Sequence, residues 1–245
     1  MSDMDSVELT GELYTETLKR FHDILKPRTY LEIGTMFGAT LALSNCRSIA
    51  VDPKFYLQGD VLGRKPSCQL FQMTSDAFFE GQNPKSLLNA PIDMAFLDGM
   101  HLFEFLLRDF KNTEKHCKKN SIIFIHDCIP HDQYNTTRSI SDPDREKSSH
   151  KDWWTGDVWK ILPALKKYRP DLAVTVLDAL PTGLVLVTNL DPSSTTLDDL
   201  YQKIVSEFLD QSLTDFGLQK LLEVANIKPT SSVATKEDIW KHYWL

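Results

Sequence analysis

The stretch TYLEIGTMFGAT, residues 29–40, sets a short apolar run against a turn with two glycines four residues apart. An acidic residue, Glu32, comes just before the first glycine, Gly34, and the second is Gly38. Glycine accepts positive φ and lets other atoms come close to the backbone, at a cost in chain entropy. Such a turn at the end of a strand reads as a binding turn, and a non-binding α/β turn is the plain alternative.

Working outward, further short apolar runs occur at 48–51, 69–73, 92–97, 122–125, 173–177 and 184–187. With 30–33 they give seven expected strands. Helical spacing separates several of them: 10–25 carries Leu13, Leu18, Phe21, Ile24 and Leu25 near one face, and 102–117 and 156–168 are the clearest others. The alternation predicts an α/β domain, a mostly parallel sheet with covering helices. Pro163 within 156–168 marks a kink or a late first turn. The polar, proline-bearing 129–155 stretch reads as a long loop, and loops of that length in a compact domain are usually functional or disordered. Residues 191–245 form a C-terminal helical extension, with apolar spacing at Leu197, Leu200, Ile204, Phe208 and Leu209. This stripe reads as core or as a homo-oligomer contact.

Composition narrows the function classes. The 245 residues are 42% hydrophobic and 25% charged, as in ordinary globular proteins. A net charge of −7 and only short basic patches disfavour nucleic acid. The acidic N-terminus is unlike a secretory signal, and no apolar run approaches the ~20 residues of a membrane helix. Cys46, Cys68, Cys117 and Cys128 form no C-x-x-C pair, which fits a reducing cytoplasm and argues against structural zinc or a disulfide scaffold.

The expected strand ends are acidic. Asp52 closes SIAVD about twenty positions after the glycine turn, the spacing at which a carboxylate meets ribose hydroxyls in doubly wound sheets. Ser75 and Asp76 follow the third strand, where they would meet an adenine edge, and FLDGMH and FIHDC end the fourth and fifth. With its E-x-G-x-x-x-G turn rather than G-x-G-x-x-G, the chain resembles the class I S-adenosylmethionine-dependent methyltransferases over roughly residues 10–190. The resemblance implies a Rossmann-like domain over 1–190, with helices on both faces of the sheet. It also implies that the turn from Glu32 through Gly34, Thr35 and Gly38 borders the methionine end of the cofactor. Thr40, early in a following helix, is implied at the cofactor carboxylate, Asp52 at the ribose, and Asp76, beside Ser75, at the adenine amino group.

DGMH and HD resemble the small-molecule O-methyltransferases of the macrocin and mycinamicin type. That resemblance implies Asp98, also bordering the cofactor, and Asp127 as ligands of a divalent metal, magnesium or manganese. His126 stands where those relatives carry Glu; it is a metal ligand that suits manganese, iron or zinc better than magnesium, or else a group orienting Asp127. His101 is implied as the general base that deprotonates an acceptor hydroxyl, a task that suits a neutral imidazole near pH 7. Its plain alternative is a structural histidine at a helix start. Trp153, Trp154 and Trp159 are expected to stack on an acceptor or to pack under the loop, and His131 and His150 to line the acceptor pocket. Arg108 and Asp109 read as a solvated surface pair. The implied activity is methyl transfer from S-adenosylmethionine to a small-molecule acceptor, most naturally at a hydroxyl. Two rivals stand beside it: an NAD-linked oxidoreductase, and a cofactor-binding module without chemistry.

Overall fold

The expected apolar runs lie side by side in one seven-stranded sheet of the computed structural model, which describes residues 6–245. Helix α1 (Tyr14–Leu25) leads into β1 (Thr29–Ile33), β2 (Arg47–Val51) and β3 (Cys68–Phe71). Helices α2 (Ser75–Gly81) and α3 (Pro84–Leu88) precede β4 (Ile92–Leu97), and α4 (Phe103–Glu114) precedes β5 (Cys117–His126). After the long 129–155 segment come α5 (Ile161–Tyr168), β6 (Ala173–Leu177) and β7 (Leu184–Thr188). The strand order is β3-β2-β1-β4-β5-β7-β6, with β7 antiparallel to both neighbours. β1 and β4 are buried along their whole length, as strands covered on both faces must be.

Side-chain alternation divides the core into two layers. Leu31, Ile33, Ile123 and Ile125 face one side with Phe103, Phe110 and Trp159. Tyr30, Ile122 and Phe124 face the other with Leu18 and Phe21 of α1. Pro163 falls in the first turn of α5, after a 3₁₀ turn at Val158–Lys160, so it costs no interior helical hydrogen bond.

Two connections differ from a regular strand–helix repeat. Residues 34–46 hold a single 3₁₀ turn, Leu41–Leu43, and Thr40 stands at its edge rather than within a helix. Residues 52–67 likewise carry no helix or strand.

The C-terminal stripe is core in this chain. α6 (Thr196–Asp199), α7 (Tyr201–Phe208), α8 (Leu213–Phe216) and α9 (Leu218–Ala225) bury Leu197, Ile204, Phe208 and Leu221 in the first layer. α10 (Lys236–His242) buries Ile239 in the second. Between them, Lys228 bridges to Leu177 and covers part of the edge of β6, a strand that would otherwise offer free backbone groups. Among the described residues, no helix is long and apolar enough to cross a membrane.

Candidate active site

Strand order reverses between β1 and β4, and ligands in open α/β sheets bind at the carboxyl ends beside such a switch. Register places the candidates there. Ile33 pairs with Leu97 and Leu97 with Ile125, so Gly34, Asp98 and His126 emerge side by side. They border a cleft of about 800 Å³, a usual size for a small-molecule site. Thr35, Gly38, Thr40, Asp52, Ser75, Asp76, His101 and Asp127 line the same cleft. Glu32 does not: it lies beneath the turn, fully buried, and accepts a hydrogen bond from the Tyr30 hydroxyl at 2.6 Å. Burial pushes its carboxyl up to about 7.

The glycines turn out to make room for the chain itself. Gly34 has φ +85°, and a Cβ there would lie 1.9 Å from the Asp98 carbonyl oxygen. Gly38 has φ +80°, and its Cβ would lie 2.7 Å from Val61 Cγ1. Asp52 braces the same turn, accepting from the Met36 N–H at 2.8 Å and the Lys54 N–H at 2.7 Å.

At the centre, two carboxylates and two imidazoles interleave. His101 Nε2 is 3.3 Å from both Asp98 and Asp127, and His126 Nδ1 is 3.5 Å from Asp98 and 3.3 Å from Asp127. His101 Nδ1 lies 3.1 Å from the Trp154 carbonyl, which can only accept, so Nδ1 carries a proton. Its Nε2 then faces two carboxylates and needs a cation or a proton between. Burial opposes charge on His101, but Asp127 and Asp98 outweigh it and raise the ring to about 9. The same balance raises His126 to about 10. Burial likewise opposes charge on Asp98, and His126 and His101 hold it well below the usual carboxylate range. The neutral His101 expected from the sequence is therefore not the state that this cleft favours by itself; without another cation the ring is charged at neutral pH.

Backbone strain marks the same residues. His101 and Asp127 have φ +56° and +62°, a region that non-glycine residues hold only under constraint from their surroundings. For His101 the constraint is visible: Trp154 stacks on its ring at 4.9 Å, and Asp157 N–H bonds its carbonyl at 3.2 Å. Gly156 packs so closely that a Cβ there would lie 1.9 Å from that carbonyl. Asp157 also accepts from the Phe103 N–H at 2.8 Å, capping α4, and pairs with Arg138 and Lys160.

Other expectations divide. Trp153 and Trp154 line the cleft, whereas Trp159 is fully buried in the core. His131 and His150 do not line it; they meet Glu8 and Ser149, and His150 stacks on Trp153 at 3.8 Å. Arg108 and Asp109 are not a surface pair. Arg108 binds both oxygens of Asp76, at 2.8 and 2.7 Å, while Asp109 is 4% exposed and lines the cleft. Sequence reading missed Tyr14, whose ring lies 4.0 Å from that of His126, and Thr182, whose hydroxyl donates to Asp127. Neither sits in a motif; each is brought in by packing from a distant part of the chain.

The donor set suits a metal ion. One ligand atom each from Asp98, His101 and Asp127 lies within 4.8 Å of the others, and Asp98 Oδ1 and His126 Nδ1 are buried without a hydrogen-bond partner. His126 is not in that convergent set, although the sequence reading placed it among the ligands. Two carboxylates and an imidazole fit manganese, iron or zinc more readily than magnesium.

Residues 31–128 match a family model described as a methyltransferase domain. A comparison with curated proteins gave no match. Among solved structures, a methyltransferase from Podospora anserina with bound S-adenosylhomocysteine aligns with TM-score 0.50 at 12% identity, over 73% of this chain and 78% of that one. An O-methyltransferase of tomaymycin synthesis from Streptomyces achromogenes aligns with TM-score 0.49 at 16% identity, over 71% and 78%. Residues 31–128 thus match a methyltransferase domain, and the sheet order and the strand-end cleft agree with the resemblance to the class I S-adenosylmethionine-dependent methyltransferases read from the sequence.

Proposed function

We propose that the enzyme methylates a hydroxyl of a small-molecule acceptor, with assistance from a divalent metal. The observation that carries this reading is the four-residue cluster of Asp98, His101, His126 and Asp127 in the same cleft as the glycine turn and Asp52. The glycine turn and Thr40 border the methionine end of the cofactor, and Asp52 takes its ribose. Asp98 and Asp127 would hold the ion. When bound, it supplies positive charge that lowers the acceptor hydroxyl's pKa and fixes its direction. His101 in its neutral form would take the hydroxyl proton on Nε2 as the oxygen attacks the sulfonium methyl and the methyl–sulfur bond breaks, leaving S-adenosylhomocysteine. Trp154 and Asp157 hold His101 in place, and Trp153 with Trp154 wall the acceptor side and exclude water.

A second reading rests on the convergence of Asp98, His101 and Asp127: His101 is itself a ligand, and the proton leaves by another route. One experiment separates them. Methyl transfer from labelled S-adenosylmethionine is followed across hydroxylated acceptors, with and without chelator, in wild type and His101→Gln, alongside titration with Mn²⁺. Unchanged Mn²⁺ affinity with slow transfer in His101→Gln supports the base, and lost Mn²⁺ affinity supports the ligand. Full activity after exhaustive chelation removes the metal from both readings.

A further inference from the structure

Asp109 lies on α4, its carboxyl turned into the cleft rather than to solvent. The residue is 4% exposed, and Oδ1 is buried with no hydrogen-bond partner. Oδ2 lies about 3.4 Å from where a side chain on Gly99 would begin, next to the Asp98 strand end. Ser75, at the start of α2, is a polar neighbour that favours its charged form. A buried carboxyl oxygen left unpaired is costly, and most such atoms in native proteins find a partner. Asp76, the residue expected at adenine, has both oxygens drawn to the Arg108 guanidinium.

We propose that Asp109 is the residue that reads the adenine 6-amino group of the bound cofactor. The inference rests on the nucleoside placement above, with ribose at Asp52. Beyond the ribose, the cleft wall continues through Ser75, Gly99 and Asp109. An exocyclic amino group brings two N–H donors, and a carboxyl oxygen facing it accepts one whether the carboxyl is charged or neutral. A nucleoside with no 6-amino group leaves that oxygen unpaired again, so selectivity comes from the unmet partner as much as from the bond made. Asp76 then serves through Arg108, fixing α2 against α4 and so the distance across the adenine end.

Calorimetric titration of the full chain tests this, using S-adenosylhomocysteine and its analogue with purine in place of adenine. Wild type should bind the adenine compound roughly ten- to a hundredfold more tightly. Asp109→Leu, which removes a buried unpaired carboxyl and should keep the fold, should bind the two within about twofold. Asp109→Ala provides the same reading if the leucine packs badly. Asp109→Asn, whose amide oxygen still accepts, should keep a preference. A wild type indifferent to the amino group overturns the proposal. So does a preference that survives in Asp109→Leu or Asp109→Ala, or one abolished by Asp76→Asn and spared in Asp109→Leu. In each of these cases S-adenosylhomocysteine still binds and the cofactor site stands; a wild type that binds neither compound removes that site and the proposal with it.

Discussion

Replacing three glycines of positive φ by alanine should give a graded series set by what each new Cβ meets. Gly59 has φ +71° with nothing within 4 Å of the added carbon. Only backbone strain counts there, about 1–2 kcal/mol, partly offset by the entropy that alanine removes from the unfolded chain. Gly38→Ala adds a contact of 2.7 Å with a valine side chain. Overpacking of that kind costs about 1–3 kcal/mol more, and trimming Val61 to alanine should recover part of it. Gly34→Ala is different in kind. Its Cβ would lie 1.9 Å from the backbone carbonyl of Asp98, where real contacts stay beyond 3.0 Å, so strand ends must part by more than 1 Å. The Asp98 N–H donates to the Ile33 carbonyl and ties the β4 end to β1, and the Gly34 N–H donates to the Val51 carbonyl and ties the turn to β2, each at 2.9 Å. Losing both bonds, at about 1 kcal/mol apiece, on top of strain and displaced packing, puts the loss at about 4 kcal/mol or more. That is a large share of the about 5–15 kcal/mol that holds a typical domain. Because Asp98 moves with its carbonyl, binding of S-adenosylhomocysteine should weaken as well. Urea unfolding followed by tryptophan fluorescence, with calorimetry on the folded variants, measures both. If Gly34→Ala costs no more than Gly59→Ala, the close approach of the β1 and β4 ends is wrong, and with it the geometry of the cleft.

Three other outcomes follow from the site. Asp52→Ala should keep the fold and weaken S-adenosylmethionine binding roughly ten- to a hundredfold, the value of hydrogen bonds to a charged group; unchanged affinity by calorimetry would move the ribose elsewhere. His101→Gln should slow methyl transfer by about 10²–10⁴-fold while cofactor affinity holds; single-turnover rates at wild-type level would make His101 structural. Burial raises Glu32 from 4.5 to about 7, so the stability it contributes is full below 4.5 and is lost as pH rises through 7. Glu32→Gln should therefore gain on wild type between pH 5 and 8, by an amount on the order of 3 kcal/mol. Urea midpoints of the two proteins that stay parallel across that range would contradict the shift.

Much of this was legible because strand ends combine two local signals. Short apolar runs located β4 at residues 92–97 and β6 at residues 173–177, and Asp52, Asp98 and Asp127, at the ends of β2, β4 and β5, marked the cleft side. Other features depend on partners distant in sequence. Leu102 offers α4 no side-chain cap, and the missing acceptor comes from Asp157, which no spacing rule connects to Phe103. Asp109 follows Arg108 and reads as its surface partner. Helical rotation instead turns Asp109 into the cleft, while Arg108 reaches Asp76 on another helix. The long 129–155 segment read as a functional or disordered loop, but its ties through Arg138 to Glu104 and Asp157 and through Trp154 to His101 left no mark in its spacing.

His101 shows why residue type alone could not settle the chemistry. Its position after Asp98 made it the natural base, and an isolated imidazole near neutrality suits that task. The protonation state, however, belongs to the cluster. Asp98 and Asp127 were both expected at the site, but that each lies 3.3 Å from the same ring nitrogen was not, nor was the Nδ1 acceptor from Trp154, 53 residues away. The Trp154 carbonyl fixes which nitrogen carries the ring's proton, and the two carboxylates fix whether the other is bare. Base strength here therefore follows the total charge between Asp98 and Asp127, which a bound cation changes and a sequence motif does not. The consequence can be measured on the protein alone. The His101 ring should titrate near 9 without divalent ions, and lose its proton at neutral pH when Mn²⁺ or Zn²⁺ is added, as ¹⁵N chemical shifts of labelled histidine with Zn²⁺ would report. A ring that is neutral at pH 7 in the chelated protein would show that the carboxylates do not face it as the geometry has them.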